Sequence, residues 1–332
     1  MINDIKVWKR LYELSEELKQ LKPWEYIYSN DYICIEISPQ DQVYCIVMGK
    51  NKECIGISVY EGESGYGDLV SIDKSYNSSE VRRYVMYEQN CLTWYLGDSD
   101  EVLPQQMEII KELGLKYHGK NAWPFFVCYE KQYYPYTFND QEAKRFVIVL
   151  ERLIDVLKDY IDDKIDVNFD DKEMIYVHQE NENWIYEAMS LPESYDKYTA
   201  IELSDESIYT QLKKQKKTSD ELYIDLHYMN SSIEDKQYKK PANALMFLVV
   251  DARSQMIVHC ELLKPVDDEI SVVLNYIIPY ILEHGIPSKI YVRNPTVFVA
   301  IDNIANECGI CLDMNDFSVI DNIYNDMLNM MK

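Results

Sequence analysis

The chain has 332 residues, 47% of them hydrophobic and 27% charged, ordinary values for a globular protein that buries a core. Its charge balance is unusual: 33 basic against 57 acidic residues give −24, which repels phosphate backbones and anionic membranes. Gly is represented 10 times, too few for glycine-rich cofactor loops, and no run approaches the ~18 apolar residues of a membrane span.

The length predicts about two domains. The opening MINDIKVWKRLYEL lacks the continuous apolar stretch of a secretory signal. Cys34, Cys45, Cys54, Cys128 and Cys260 sit in apolar, strand-like runs, so reduced thiols in a cytoplasmic protein are expected rather than disulfides.

In chain order, Trp8, Leu11, Tyr12, Leu14, Leu18 and Leu21 recur at helical spacing and predict a helix over 5–21 that Pro23 ends. Short strands follow at 32–37, 43–48 and 54–60, separated by turns at 39–41 and 49–51, which suggests an antiparallel meander. A helix near 79–88, a strand at 91–96, a helix at 104–113 closed by Gly114 and a strand at 125–129 come next. Asn139 reads as the N-cap of a long helix to about residue 160, with Phe146, Val149, Leu150, Leu153, Val156 and Leu157 as its stripe. The middle of the chain holds a hairpin at 174–189, a basic run at Lys213, Lys214, Lys216 and Lys217, and an alternating strand at 222–228. Residues 233–240 are polar and end at Pro241, which reads as a linker. After it come an apolar strand at 244–250, a turn at 251–255, a return strand at 256–263 and a helix at 269–284 capped by Gly285. A strand at 290–293, a helix at 296–307, a short strand at 310–313 and a terminal helix at 319–330 complete the order. The expected organisation is an α+β domain over 1–162, a small β-containing segment over 163–240 and a mixed α/β domain over 242–332.

The run from Leu245 to Leu312 resembles the integrase-type branch of the ribonuclease-H-like fold. Leu-Val-Val-Asp251 matches that family's core strand and its catalytic Asp, Gln255-Met-Ile-Val-His-Cys-Glu261 its return strand, and Gly285-Ile-Pro287 the turn before its next strand. The family's second Asp falls at Arg293 or Asn294 and is absent; a third carboxylate is expected from the terminal helix, where Asp316, Asp321 and Asp326 are available. The family's chemistry needs two or three carboxylates around a pair of divalent cations, and a guanidinium there puts a cation where a cation should bind. The whole chain also looks like bacterial two-domain proteins of unknown function with a Leu-x-Pro-Trp motif, here Leu21-Lys-Pro-Trp24.

Asp251 is the candidate catalytic or metal-binding residue, and the paired Asp267 and Asp268 are the carboxylates that could approach it; the competing assignments are a turn cap for Asp251 and an N-cap with first-turn dipole partner for the pair. Other patterns fail on chemistry. Cys308-Gly-Ile-Cys311 closes a helix, where the dipole disfavours a thiolate. His259-Cys-Glu261 with that pair lacks the Pro-Cys-x-x-Cys of a zinc deaminase. Asp166, Asn168 and Asp170 have calcium-loop spacing, but Asp171 and Val177 stand where Gly and Glu are needed. Residues 61–67 read as a flexible acidic loop, and the lysine run as a solvated one. The sequence therefore predicts a binding or interaction protein with a non-catalytic ribonuclease-H-like domain, no cofactor, no nucleic acid, no membrane, and a protein partner with a basic surface. The alternatives are a metal-dependent nuclease or phosphodiesterase rebuilt around Asp251, and an acidic mimic of nucleic acid.

Overall fold

The computed structural model describes residues 4–51, 54–75, 79–193, 197–238, 240–314 and 318–330. The chain forms two compact units, each with its own mixed sheet. Unit 1 comprises Met1–Asp73, Gln89–Glu130 and Pro135–Tyr195; unit 2 comprises Lys74–Glu88, Lys131–Tyr134 and Asp196–Lys332.

Unit 1 is built on a seven-stranded sheet. Strands β1 (Ile33–Ser38), β2 (Asp41–Met48), β3 (Ile55–Glu61), β4 (Cys91–Gly97) and β5 (Trp123–Tyr129) pair in sequence as an antiparallel meander. The hairpin of β6 (Glu173–Glu180) and β7 (Asn183–Ser190) adds to it through a parallel β1–β6 pairing. Both faces are covered, so the strands bury side chains of both parities. Ile33, Ile35, Val43, Cys45 and Val47 meet the apolar stripes of α1 (Ile5–Leu21) and α5 (Asp140–Ile161). Cys34, Tyr44, Ile46 and Tyr60 face Tyr66 and Leu69 of α2 (Gly62–Lys74). Helix α5 begins at a capping box in which Asn139 and Glu142 satisfy each other's backbone N–H groups. Between β4 and β5 lies α4 (Pro104–Glu112).

Unit 2 has a five-stranded sheet in the order β10-β9-β8-β11-β12. Its strands are β8 (Glu221–Ile233), β9 (Ala242–Asp251), β10 (Ile257–Leu263), β11 (Lys289–Val292) and β12 (Cys311–Met314). The first three are antiparallel; β11 runs parallel to β8 and β12 parallel to β11. One face carries α9 (Ser318–Met330), whose Ile320 and Tyr324 pack on Leu248 and Val250. The other carries α7 (Glu269–His284), where Tyr276 meets Phe247. Helices α3 (Ser79–Tyr87), α6 (Glu206–Lys213) and α8 (Pro295–Cys308) complete the unit. Gly285 ends α7 at φ +109°, and a Cβ there would meet the Lys216 carbonyl oxygen at 2.6 Å, so the Gly-Ile-Pro turn needs its glycine.

The structure divides the chain elsewhere than at 162 and 240. The 174–189 hairpin belongs to the first sheet, and the strand expected in the middle segment is the central strand of the second. The polar stretch read as a linker is the connection between two neighbouring antiparallel strands, β8 and β9. Polar residues before a proline look the same in a hairpin loop as between domains. The 61–67 segment is also not a loop: α2 starts at Gly62, and Gly65 packs on Tyr60 so closely that a Cβ would lie 2.8 Å from its carbonyl carbon.

Candidate functional site

The strand pairings decide which carboxylate accompanies Arg293. β11 runs beside β8 in register, Ile290 opposite Leu222 and Val292 opposite Ile224. The next residues of the two strands, Arg293 and Asp225, are therefore side by side. Asp251 pairs with Leu222, so it stands level with Ile290, at the end of the sheet where β11 begins. Arg293 stands at the end where β11 finishes. The sequence expectation that Asp251 shares a site with residue 293 is thus corrected by one strand: β8, and not β9, is the neighbour of β11.

Arg293 donates from Nε and Nη2 to Asp225 Oδ2 at 3.0 and 2.8 Å. Its Nη1 donates to Asp321 Oδ1 on α9 at 2.6 Å. Asp225 is 1% exposed and Arg293 3%, whereas the Asp321 side chain is 35% exposed. Burial pushes the Asp225 carboxyl up to about 6, against the pull of the Arg293 charge. Burial opposes the charge on Arg293 as well, but Asp225 and Asp321 outweigh it and hold the guanidinium charged. The array is an ion triad with two anions and one covalently held cation.

Asn294 completes the corner. Its Oδ1 accepts from the Thr296 and Val297 amides as the N-cap of α8, and its Nδ2 donates to the Leu226 carbonyl at 2.8 Å. The one neutral oxygen that could have replaced a carboxylate is therefore spent on the helix end. Beside the triad, on the same face of β8, His227 stacks on Tyr324 at 4.2 Å. Burial, with the Arg293 and Arg83 charges, pushes its ring down to about 3, so it stays neutral.

A metal pair does not fit this set of residues. The oxygen of Asp225 nearest the triad's centre accepts two guanidinium hydrogen bonds, and the guanidinium lies between the two carboxylates. Among the described residues, no group of three or more His, Cys, Asp or Glu is placed to hold a metal ion.

The sequence candidates go to local roles. Asp251 Oδ1 accepts from both the amide and the hydroxyl of Ser254 at 2.6 Å, and the hydroxyl bond is the first cause lowering its pKa. Asp267 accepts from the Lys264 amide, and Asp268 caps α7 through the Ser271 amide. Asp316 lies outside the described residues, and Asp326 is exposed on α9. Cys308 and Cys311 are free thiols on different elements, and His259 sits on β10 against Phe247 and Tyr276. Asn168 donates to Asp171 in a 3-10 turn. Lys213 pairs with Glu307.

Two further groupings were not legible in the sequence. In unit 2, Lys131 bridges the buried carboxylates of Glu88 and Glu269 at 2.9 and 3.0 Å, and Tyr228 donates to Glu88 at 2.5 Å. Burial raises the Glu88 pKa, with Lys131 opposing it. In unit 1, a cleft of about 600 Å³ is lined by Cys128, Tyr136, Glu130, Glu142 and Arg145. There the Cys128 thiol donates to Tyr136 Oη at 3.0 Å and lies 3.8 Å from Glu142 Oε1, and Tyr136 Oη is within hydrogen-bond reach of both Glu130 and Glu142. Burial first, then these neighbours, raise the Tyr136 pKa, and Arg145 is taken up by Asp41 and Glu61.

Residues 8–177, just over half of the chain, match a protein family described as a domain of unknown function, DUF7309. The chain belongs to the DUF7309 family. Its residues 209–328 match a second domain of unknown function, DUF6930. The DUF7309 match ends within β6 and holds the whole meander, while the DUF6930 match runs from α6 to α9 and holds the triad. No curated protein matches the chain. Among solved structures, it is similar to a chain of the cryo-EM structure of the simian T-cell lymphotropic virus intasome in complex with PP2A regulatory subunit B56 gamma. That likeness has 13% identity and a TM-score of 0.24, and covers 34% of this chain and 41% of the other. Among the described residues, no helix is long and apolar enough to cross a membrane.

Proposed function

We propose that the second unit is a ribonuclease-H-like module in which an arginine has taken the place of the catalytic metals, and that the chain acts as a non-enzymatic binding or interaction protein. The order of hairpin, return strand, helix, Gly-x-Pro turn, strand and terminal helix supports the likeness. The observation that carries the functional reading is Arg293 between Asp225 and Asp321. In the resembled family those three positions, one on the core strand, one at the end of the strand after the turn and one on the terminal helix, would each supply a carboxylate. Here the middle one supplies a guanidinium. A metal pair clamps the attacking and leaving oxygens of a phosphoryl transfer, and a guanidinium saturated by two carboxylates does neither.

The same substitution that removes the metals gives the module a rigid corner. The triad ties β8, β11 and α9 together, and Asn294 ties α8 to β8. A charge of −24 favours a partner with a basic protein surface over nucleic acid or an anionic membrane.

The test is a cleavage assay with magnesium or manganese on single- and double-stranded DNA and RNA and on a chromogenic phosphodiester. The full chain is expected to leave all of them intact. Metal-dependent cleavage that disappears in Asp225→Asn would overturn the proposal.

A further inference from the structure

β10 is an edge strand that pairs with β9 on one side. Its two faces differ. Leu263 is buried and His259 packs on Phe247 and Tyr276, so His259, Glu261 and Leu263 face α7, whereas Ile257, across the bulge, pairs with Val250. Val258, Cys260 and Leu262 alternate with them and face the side of α9. That helix packs on Leu248 and Val250 of β9 but leaves Val258 48% and Leu262 47% exposed, with Cys260 also exposed between them. Edge strands of this kind are usually blunted by lysine, proline or a strong bulge. β10 contains no lysine or proline, and its bulge, which falls at Val258, leaves His259 to Leu263 in regular register.

We propose that a second copy of this chain pairs with β10, antiparallel, on a two-fold axis through Cys260. The strand is self-complementary about that residue and about no neighbouring one. With the axis at Cys260, His259 of each copy stands opposite Glu261 of the other, Val258 opposite Leu262, and Cys260 opposite itself. The apolar stripe on the α9 side becomes continuous across two copies, and each imidazole, which lies 3.4 Å from Glu261 of its own strand, gains a second carboxylate from the other copy. Moving the axis to His259 sets histidine against histidine and Ile257 against Glu261. Moving it to Glu261 sets carboxylate against carboxylate. Cross-strand pairs of opposite sign stabilise and like-signed pairs destabilise, which selects the register. The interface is isologous, so the His259–Glu261 pair and the Val258–Leu262 pair each occur twice. Strand pairing of this length buries little area, so the dimer is of the weak, micromolar class.

The test is sedimentation equilibrium of the full chain at about 0.15 M salt, where the charge of each copy is screened within ~8 Å. A reversible dimer is expected. Glu261→His, at an exposed position, and His259→Glu, at a half-buried one, are each expected to raise the dissociation constant about tenfold. The double swap His259→Glu with Glu261→His is expected to restore it, because it re-forms the imidazole–carboxylate pairs. In a Cys54→Ser, Cys311→Ser background, a short bis-maleimide is expected to join two chains through Cys260. A chain that stays monomeric to hundreds of micromolar, a dimer insensitive to both single variants, or a double swap that fails to restore it overturns the proposal. Circular dichroism of each variant confirms that it is folded.

Discussion

Arg293 and Asp225 meet because β11 and β8 are parallel and in register, and the guanidinium reaches one carboxylate oxygen with two of its nitrogens. The pair is buried, so its worth lies less in its own attraction than in what is left when half of it is removed.

Arg293→Met is therefore expected to destabilise unit 2 by about 3–5 kcal/mol, because it strands a desolvated carboxylate. Arg293→Met combined with Asp225→Asn is expected to lose clearly less than the single change. Asp321→Asn, at a partly exposed carboxylate, is expected to cost about 1 kcal/mol or less. Urea denaturation of the three variants checks the order.

His227 gives the unit an acid sensitivity whose sign is set by its lowered pKa. In the unfolded chain the ring takes a proton near its ordinary 6.5; in the folded one only near about 3. The unfolded state thus binds more protons in this window, and stability falls as pH drops from above 6.5 toward 3. Asp225 acts in the opposite sense: its carboxyl is raised to about 6, so the folded state binds more protons below that, but its shift is the smaller. His227→Phe, which keeps the stack on Tyr324, is expected to reduce the stability lost between pH 7 and pH 4.5 by about 2 kcal/mol. Denaturant titrations of both proteins at the two pH values measure it.

Lys131 bridges Glu88 and Glu269. Lys131→Met is expected to destabilise unit 2 by about 3 kcal/mol at neutral pH. Because burial already raises the Glu88 pKa, acid relieves the stranded carboxylates, and the gap from the unmodified chain is expected to narrow as pH falls toward 5. Thermal melts across that range check it.

Asp251→Ala removes one acceptor from a hairpin turn. It is expected to change stability by about 1 kcal/mol or less. Asp225→Ala is expected to cost several times that. Parallel melts of the two variants separate the two aspartates.

Much of the architecture was legible. The stripe of α1 and the Asn139 capping box of α5 follow from helical spacing and cap chemistry, and the turns between β1, β2 and β3 announce the meander. Three glycines within α2 hid that helix, because glycine is the weakest helix former after proline. The triad was only half legible. Arg293 stood out as a cation at a carboxylate position, but Asp225 did not. In β8, Tyr223, Asp225 and His227 alternate with Leu222, Ile224 and Leu226, which reads as one solvated face. Both faces of the strand are in fact covered, and Asp225 and His227 are buried. Two ionisable residues alternating with Leu222, Ile224 and Leu226 were the signal available. Pairing order, which a single sequence does not carry, was needed to move the site from Asp251 to Asp225.

The central claim concerns the position between Asp225 and Asp321, and manganese binding measured by electron paramagnetic resonance addresses it most directly. Free manganese gives a six-line signal that weakens on binding. The account predicts the same bound manganese for the unmodified chain, Asp225→Asn and Asp321→Asn, since surface acids alone contribute. One or two ions bound by the unmodified chain and released in Asp225→Asn would contradict it.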